Sequence, residues 1–117
     1  MAFKFEELRV WQKSVELTGF IHEISSKFLK EEWYVLTSQI KRAGDSISLN
    51  IAEGSTGQTN PEFKRFTVIS IRLGIEVIGG IYLAKRINII STENFNLLYS
   101  ETGLLIKPIQ AFRKLIQ

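Results

Sequence analysis

Between Phe95 and Ile116, the positions Phe95, Leu98, Thr102, Leu105, Ile109, Phe112 and Ile116 follow one another by alternating steps of three and four. A helix turns by about 100° per residue, so these steps hold one narrow seam in register for about six turns. A strand would need alternation by two. A seam of this length commits the segment to lie along other helices, and it predicts an all-α chain. Pro108 falls inside the run and has no amide hydrogen. It is expected to kink the helix or to leave the Leu104 carbonyl without its usual partner.

Three further helical segments precede this one. They run from about Glu6 to Phe28, from about Trp33 to Glu53 and from about Pro61 to Arg86, and the last spans about Thr92 to Ile116. The break at KEEW separates the first two, and GSTGQT makes the longest loop. Asn60 is expected to cap the third helix with Pro61 at its first position, and Ser91 or Thr92 to cap the fourth. Four long helices with short connections predict an antiparallel up-and-down four-helix bundle, a single domain over residues 1–117. A chain of 117 residues can bury roughly two-thirds of its unfolded surface, enough for a core without staples. With no cysteine and a single histidine, disulfide frameworks, thiolate zinc sites, cysteine nucleophiles and histidine metal clusters are excluded. No metal or cofactor is expected. No apolar run approaches the roughly 18 residues of a membrane span, so no membrane partner is expected. The N-terminal MAFKFEELRVW places acids where a signal peptide needs an apolar stretch, which predicts cytoplasmic residence.

The first and third helices each carry two apolar stripes. On the third, Phe63, Phe66, Leu73, Val77 and Ile81 share one arc, while Val68, Ile71, Ile75, Ile78 and Tyr82 share another about 100–150° away. On the first, Leu8, Trp11 and Val15 stand apart from Leu17, Ile21, Ile24 and Phe28. A bundle helix needs one stripe. The second is either a broad core contact or a subunit interface, and the interface is preferred because large exposed apolar patches on monomers are uncommon. A homo-oligomer is expected.

The second helix sets Leu36, Ile40, Ala43, Ile47 and Ile51 toward the core, and beside them runs a polar stripe of Gln39, Arg42, Ser46, Asn50 and Glu53. Ser and Asn are mediocre helix formers. Two readings stay open: a buried polar network that fixes helix register, or a binding surface. Arg42 calls for a carboxylate on another helix or subunit in bidentate geometry.

The formal charge is +3, and it is unevenly placed. Residues 1–58 hold seven Lys/Arg and eight Asp/Glu, net −1, whereas residues 59–117 hold eight and four, net +4. The basic residues that could contact phosphates are Lys41, Arg42, Lys64, Arg65, Arg72, Lys85 and Arg86. Aromatic residues do not interleave them at exposed spacing, so no platform for stacking the bases of a single strand is expected. No nucleophile, base and oxyanion donors converge at recognisable spacing, and no enzyme is expected. His22, on the arc of Trp11 and Val15, is read as a satisfied or partly buried histidine. GSTGQTN lacks the Gly-Lys-Ser/Thr ending of a phosphate loop.

The stretch LTSQIKRAGDSISLNIAEG, Leu36 to Gly54, resembles the signature of the four-helix-bundle family named after intervening sequences in 23S ribosomal RNA genes. The likeness extends through FEELRVWQKSVEL, PEFKRFTVIS and LAKRINII, so it covers nearly the whole chain. It implies an up-and-down bundle that assembles as a homopentamer. The same fold serves the accessory variability determinants of diversity-generating retroelements, which work with a reverse transcriptase and bind nucleic acid through basic surfaces. RNA or DNA, a reverse transcriptase, and copies of the chain itself are therefore the partners implied. Four departures from the family pattern stand out: the uncharged STGQTN loop, Lys41 in place of the more usual Arg, Gly44-Asp45, and Ile106-Lys107-Pro108. The first three count against strong nucleic-acid binding. The expected role is a non-catalytic homo-oligomeric module that contacts nucleic acid or a nucleic-acid enzyme. The alternative is a protein-interaction scaffold with no nucleic-acid role.

Overall fold

The computed structural model describes residues 3–28, 34–57 and 59–117. A short 3-10 turn at Lys4–Glu7 precedes four helices: α1 (Arg9–Ser25), α2 (Tyr34–Ser55), α3 (Asn60–Arg86) and α4 (Thr92–Leu115). Each helix packs on its neighbours in sequence, α4 returns to α1, and the backbones of α1 and α3, and of α2 and α4, do not approach one another closely among the described residues. This closed square is the expected four-helix bundle, 44 Å long and about 20 Å across. Ile21, Ile47, Val77, Ile81, Leu105 and Ile109 are almost wholly buried at its centre. At roughly 1.5–3 kcal/mol for each large aliphatic side chain removed from water, this seam is the main stabilising term. The α4 pattern holds throughout: Leu98, Thr102, Leu105, Ile109 and Ile116 are buried, with Phe95 and Phe112 packed at the edge.

Local differences from the sequence reading have physical causes. Thr59, rather than Asn60, caps α3 by accepting a hydrogen bond from the Glu62 amide at 3.2 Å, which moves Pro61 to the second helical position. Ser91 caps α4 through the Asn94 amide. The α4 helix continues through Pro108 as one element. The α1 helix ends at Ser25, and residues 26–28 form a turn. The KEEW break and Trp33 lie outside the described residues. The α2 helix runs on to Ser55 because Gly54 is a packing residue rather than a loop residue: a Cβ there would stand 2.6 Å from the Cβ of Phe66. Gly44 similarly admits Ile21 of α1, whose Cδ1 would lie 2.5 Å from an added Cβ. Against the expectation that no apolar run approaches a membrane span, the α3 helix is long and apolar enough, by length and composition, to cross one, and a third of its most apolar stretch is buried. Arg72 and Glu76 interrupt the run, yet apolar residues on both of its stripes raise the average. Its inner stripe packs between α2 and α4 as a bundle helix.

Candidate interaction surface on helix three

Three arginines line the outer side of α3. Arg65, Arg72 and Arg86 are all exposed. Separations of seven and fourteen residues keep them within an arc of about 60°, with rises of roughly 10 and 21 Å between successive members. The guanidinium of Arg65 also lies over the Phe66 ring, 5.6 Å from its centroid. The sole contact between a basic and an acidic side chain within 4 Å among the described residues is His22–Asp45, on the α1–α2 side of the bundle. The arginine row is therefore unpaired within the described chain, and its donors are available to an external anion.

Arg42 joins this surface from α2. It lines a small groove between α2 and α3 with Ala43, Ser46, Leu73 and Glu76. One turn further on, Gln39, Leu36 and Ile40 face Glu76, Gly79, Gly80 and Leu83 across a second groove. Glu76 lines both grooves and is the carboxylate that the fold sets opposite Arg42. Gln39, Arg42 and Ser46 of the polar stripe thus line open grooves rather than a buried network. Gln39, Arg42 and Glu53 are exposed, Ser46 and Asn50 half-buried. Their one mutual bond is local, from Asn50 Nδ2 to the Ser46 carbonyl at 2.8 Å. The buried polar contact that does tie α2 to α3 is elsewhere: Ser70 Oγ donates to the Ile47 carbonyl at 3.1 Å.

The remaining basic candidates do not join the row. Lys64 is half-buried, on the flank of α3 that faces α4. Lys85 is pinned at the α3–α4 corner, donating to Thr92 Oγ1 with its ammonium 5.8 Å from the Phe95 ring centroid. Lys41 is half-buried and shares a flank of α2 with Asp45, which bonds His22 of α1. His22 is satisfied as expected, Nε2 to Oδ1 at 2.8 Å, but its side chain is 47% exposed. Gly44-Asp45 is explained by the α1–α2 contact: Thr18 donates to the Gly44 carbonyl, and Asp45 holds His22.

The second stripe of α3 lies at the edge of the core, against which Ile71 and Ile78 pack. Ile75 and Tyr82 are more than half exposed, and Val68, Ile71 and Ile78 are half-buried. Beside it, Ile78 faces Tyr99, Gly103, Leu104, Ile106 and Lys107 of α4 across an apolar groove of about 610 Å³. An added Cβ at Gly79 or Gly103 would meet nothing within 4 Å. Gly in a helix costs about 1 kcal/mol relative to Ala, and the fold of the single chain does not require it at either position. Sequence spacing also misses a feature at the end of this groove. Tyr82 of α3 meets Phe95 and Tyr99 of α4, with ring centroids 5.1 to 6.3 Å apart.

A family model described as 23S rRNA-intervening sequence protein matches residues 6–111. The chain belongs to this family. A solved structure of the same fold is a crystal structure, at 1.70 Å resolution, of a protein with unknown function from the S23 ribosomal protein family of Bacteroides thetaiotaomicron VPI-5482. The two superpose with a TM-score of 0.83 at 24% identity, over 90% of this chain and 98% of that one. At that identity the likeness establishes the architecture. A comparison with curated protein sequences gives no match.

Proposed function

We propose that this family member is a non-catalytic, homo-oligomeric module of the bacterial cytoplasm that contacts nucleic acid through the outer side of α3. The observation that carries this reading is the exposed row Arg65–Arg72–Arg86, without an ion-pair partner among the described residues, with Arg42 on the adjoining lip. Guanidinium groups spaced along one face suit successive phosphates, and assembly multiplies the field of a chain that is only +3 alone. The exposed Ile75, the half-buried Ile78 and the aliphatic part of the groove around Gly103 supply apolar surface for assembly, and a pentamer is the stoichiometry that the family resemblance implies. A nucleic-acid enzyme such as a reverse transcriptase fits the same role as a partner brought to the bound strand.

The test is fluorescence anisotropy with structured RNA and duplex DNA over a salt series. Affinity should fall steeply with salt as counterions are released. The Arg65→Ala/Arg72→Ala variant should weaken binding to every sequence alike and flatten the salt slope by about one for each phosphate no longer held. Binding that ignores salt between low and physiological concentration contradicts the mechanism. The apolar α3–α4 groove favours a second reading, a protein-interaction scaffold. Capture of a defined protein partner with negligible RNA and DNA binding would select it.

A further inference from the structure

The stripe of α3 changes character at its last member. Below Tyr82 its neighbours are aliphatic, whereas at Tyr82 they are rings and cations. Tyr82 is 55% exposed and Tyr99 47% exposed, and both rest on the half-buried Phe95. The Phe95 and Tyr99 rings stack at an interplanar angle of 24°, and Tyr82 stands across both at 73° and 89°. Lys85 sits over Phe95, held by Thr92. Arg86, the last arginine of the row, is exposed one turn beyond Tyr82 and on the same side of α3. The connection that sets this corner is short and braced. Asn88 takes a left-handed conformation with φ 60°, the Ile89 amide bonds the Ala84 carbonyl at 3.0 Å, and Ile90 is buried. The rings are therefore placed before any ligand arrives.

We infer that this corner is a stacking site for unpaired nucleotides of a single-stranded nucleic acid, with Tyr82 and Tyr99 offering ring faces and Lys85 and Arg86 the phosphate contacts. The inference rests on the reading of the arginine row as a phosphate-binding face and extends it to a strand whose bases are free. Exposed aromatic faces beside cations are the recurring means of holding single strands without sequence preference. Charge favours this occupant over a second copy. Among the described residues two cations flank the rings against one exposed acid of the first α4 turn, Glu93, and the half of the chain that forms α3 and α4 carries net +4. The aliphatic part of the groove, around Ile78, Gly103 and Ile106, is the part suited to a second copy.

The experiment compares a labelled oligothymidylate of about twelve nucleotides with a DNA duplex of the same length, on wild type and variants, with the mass of each protein measured alongside. Wild type should prefer the single strand. Tyr82→Ala and Tyr99→Ala should each weaken oligothymidylate binding about ten-fold while duplex affinity and mass stay unchanged, and Tyr82→Phe should restore it. Arg65→Ala/Arg72→Ala should weaken both ligands. Unchanged single-strand affinity in both alanine variants overturns the stacking site and leaves the arginine reading standing. A fall in mass instead makes the corner a subunit contact and overturns it too. Wild type that binds neither ligand overturns the inference and the proposed function together.

Discussion

On the inner side of α3, Phe63, Val77 and Ile81 are buried against α2 and α4; on the outer side, Ile75 and Tyr82 are more than half exposed beside Arg72 and Arg86. Both sides are rich in isoleucine, valine and aromatics. The inner side answers to its own core, where each large apolar side chain stabilises the fold by roughly 1.5–3 kcal/mol. The outer side gains nothing of the kind until another molecule covers it. The difference teaches that hydropathy locates apolar faces, while packing decides which of them the chain satisfies alone.

The contrast can be broken most forcefully at paired isoleucines. Ile81→Ala should cost about 2–5 kcal/mol in denaturant unfolding, because Ile81 has no exposed surface and the cavity cannot collapse fully. Ile75→Ala should change the stability of the isolated fold by less than about 0.5 kcal/mol. Equal losses at the two sites would erase the distinction between the sides. Adjacent glycines sharpen it further. A Cβ at Gly80 would lie 2.6 Å from Ile40 Cγ1, so Gly80→Ala should destabilise by about 1–3 kcal/mol. Gly79→Ala meets nothing and should raise the stability of the helix by about 0.5–1 kcal/mol. Thermal unfolding of the two variants should move in opposite directions. The smallest effect belongs to the α1–α2 side, where Asp45→Asn should lower stability by only about 0.2–1 kcal/mol, since the His22–Asp45 pair is well exposed. A larger loss there would make that pair a structural pin.

Much of the fold is legible in the residues. The α4 seam and the two stripes of α3 are read directly from spacing, because a helix converts sequence separation into angle. The corner of Tyr82, Phe95 and Tyr99 is not, because it joins two helices and no pattern along either one reveals it. Spacing likewise cannot name Glu76 as the carboxylate facing Arg42, since the register of α2 against α3 is set by Gly54 and Gly80, each of which lets a neighbouring side chain approach the backbone. Gly54 itself reads as a loop residue for a related reason: a glycine at a helix end and a glycine in a helix contact look alike in sequence. The polar stripe of α2 is visible as a stripe, but whether it faces inward or outward depends on the tilt of α3 beside it.

One side of α3 faces the chain's own core, and the other is held to face other molecules. Light scattering at micromolar concentration, run on wild type and on Ile75→Lys, tests this division most directly. Wild type should give a multiple of the 13.4 kDa chain, about 67 kDa for a pentamer, and the variant should keep its helical circular dichroism while falling to the mass of one chain. Wild type at 13.4 kDa would contradict it.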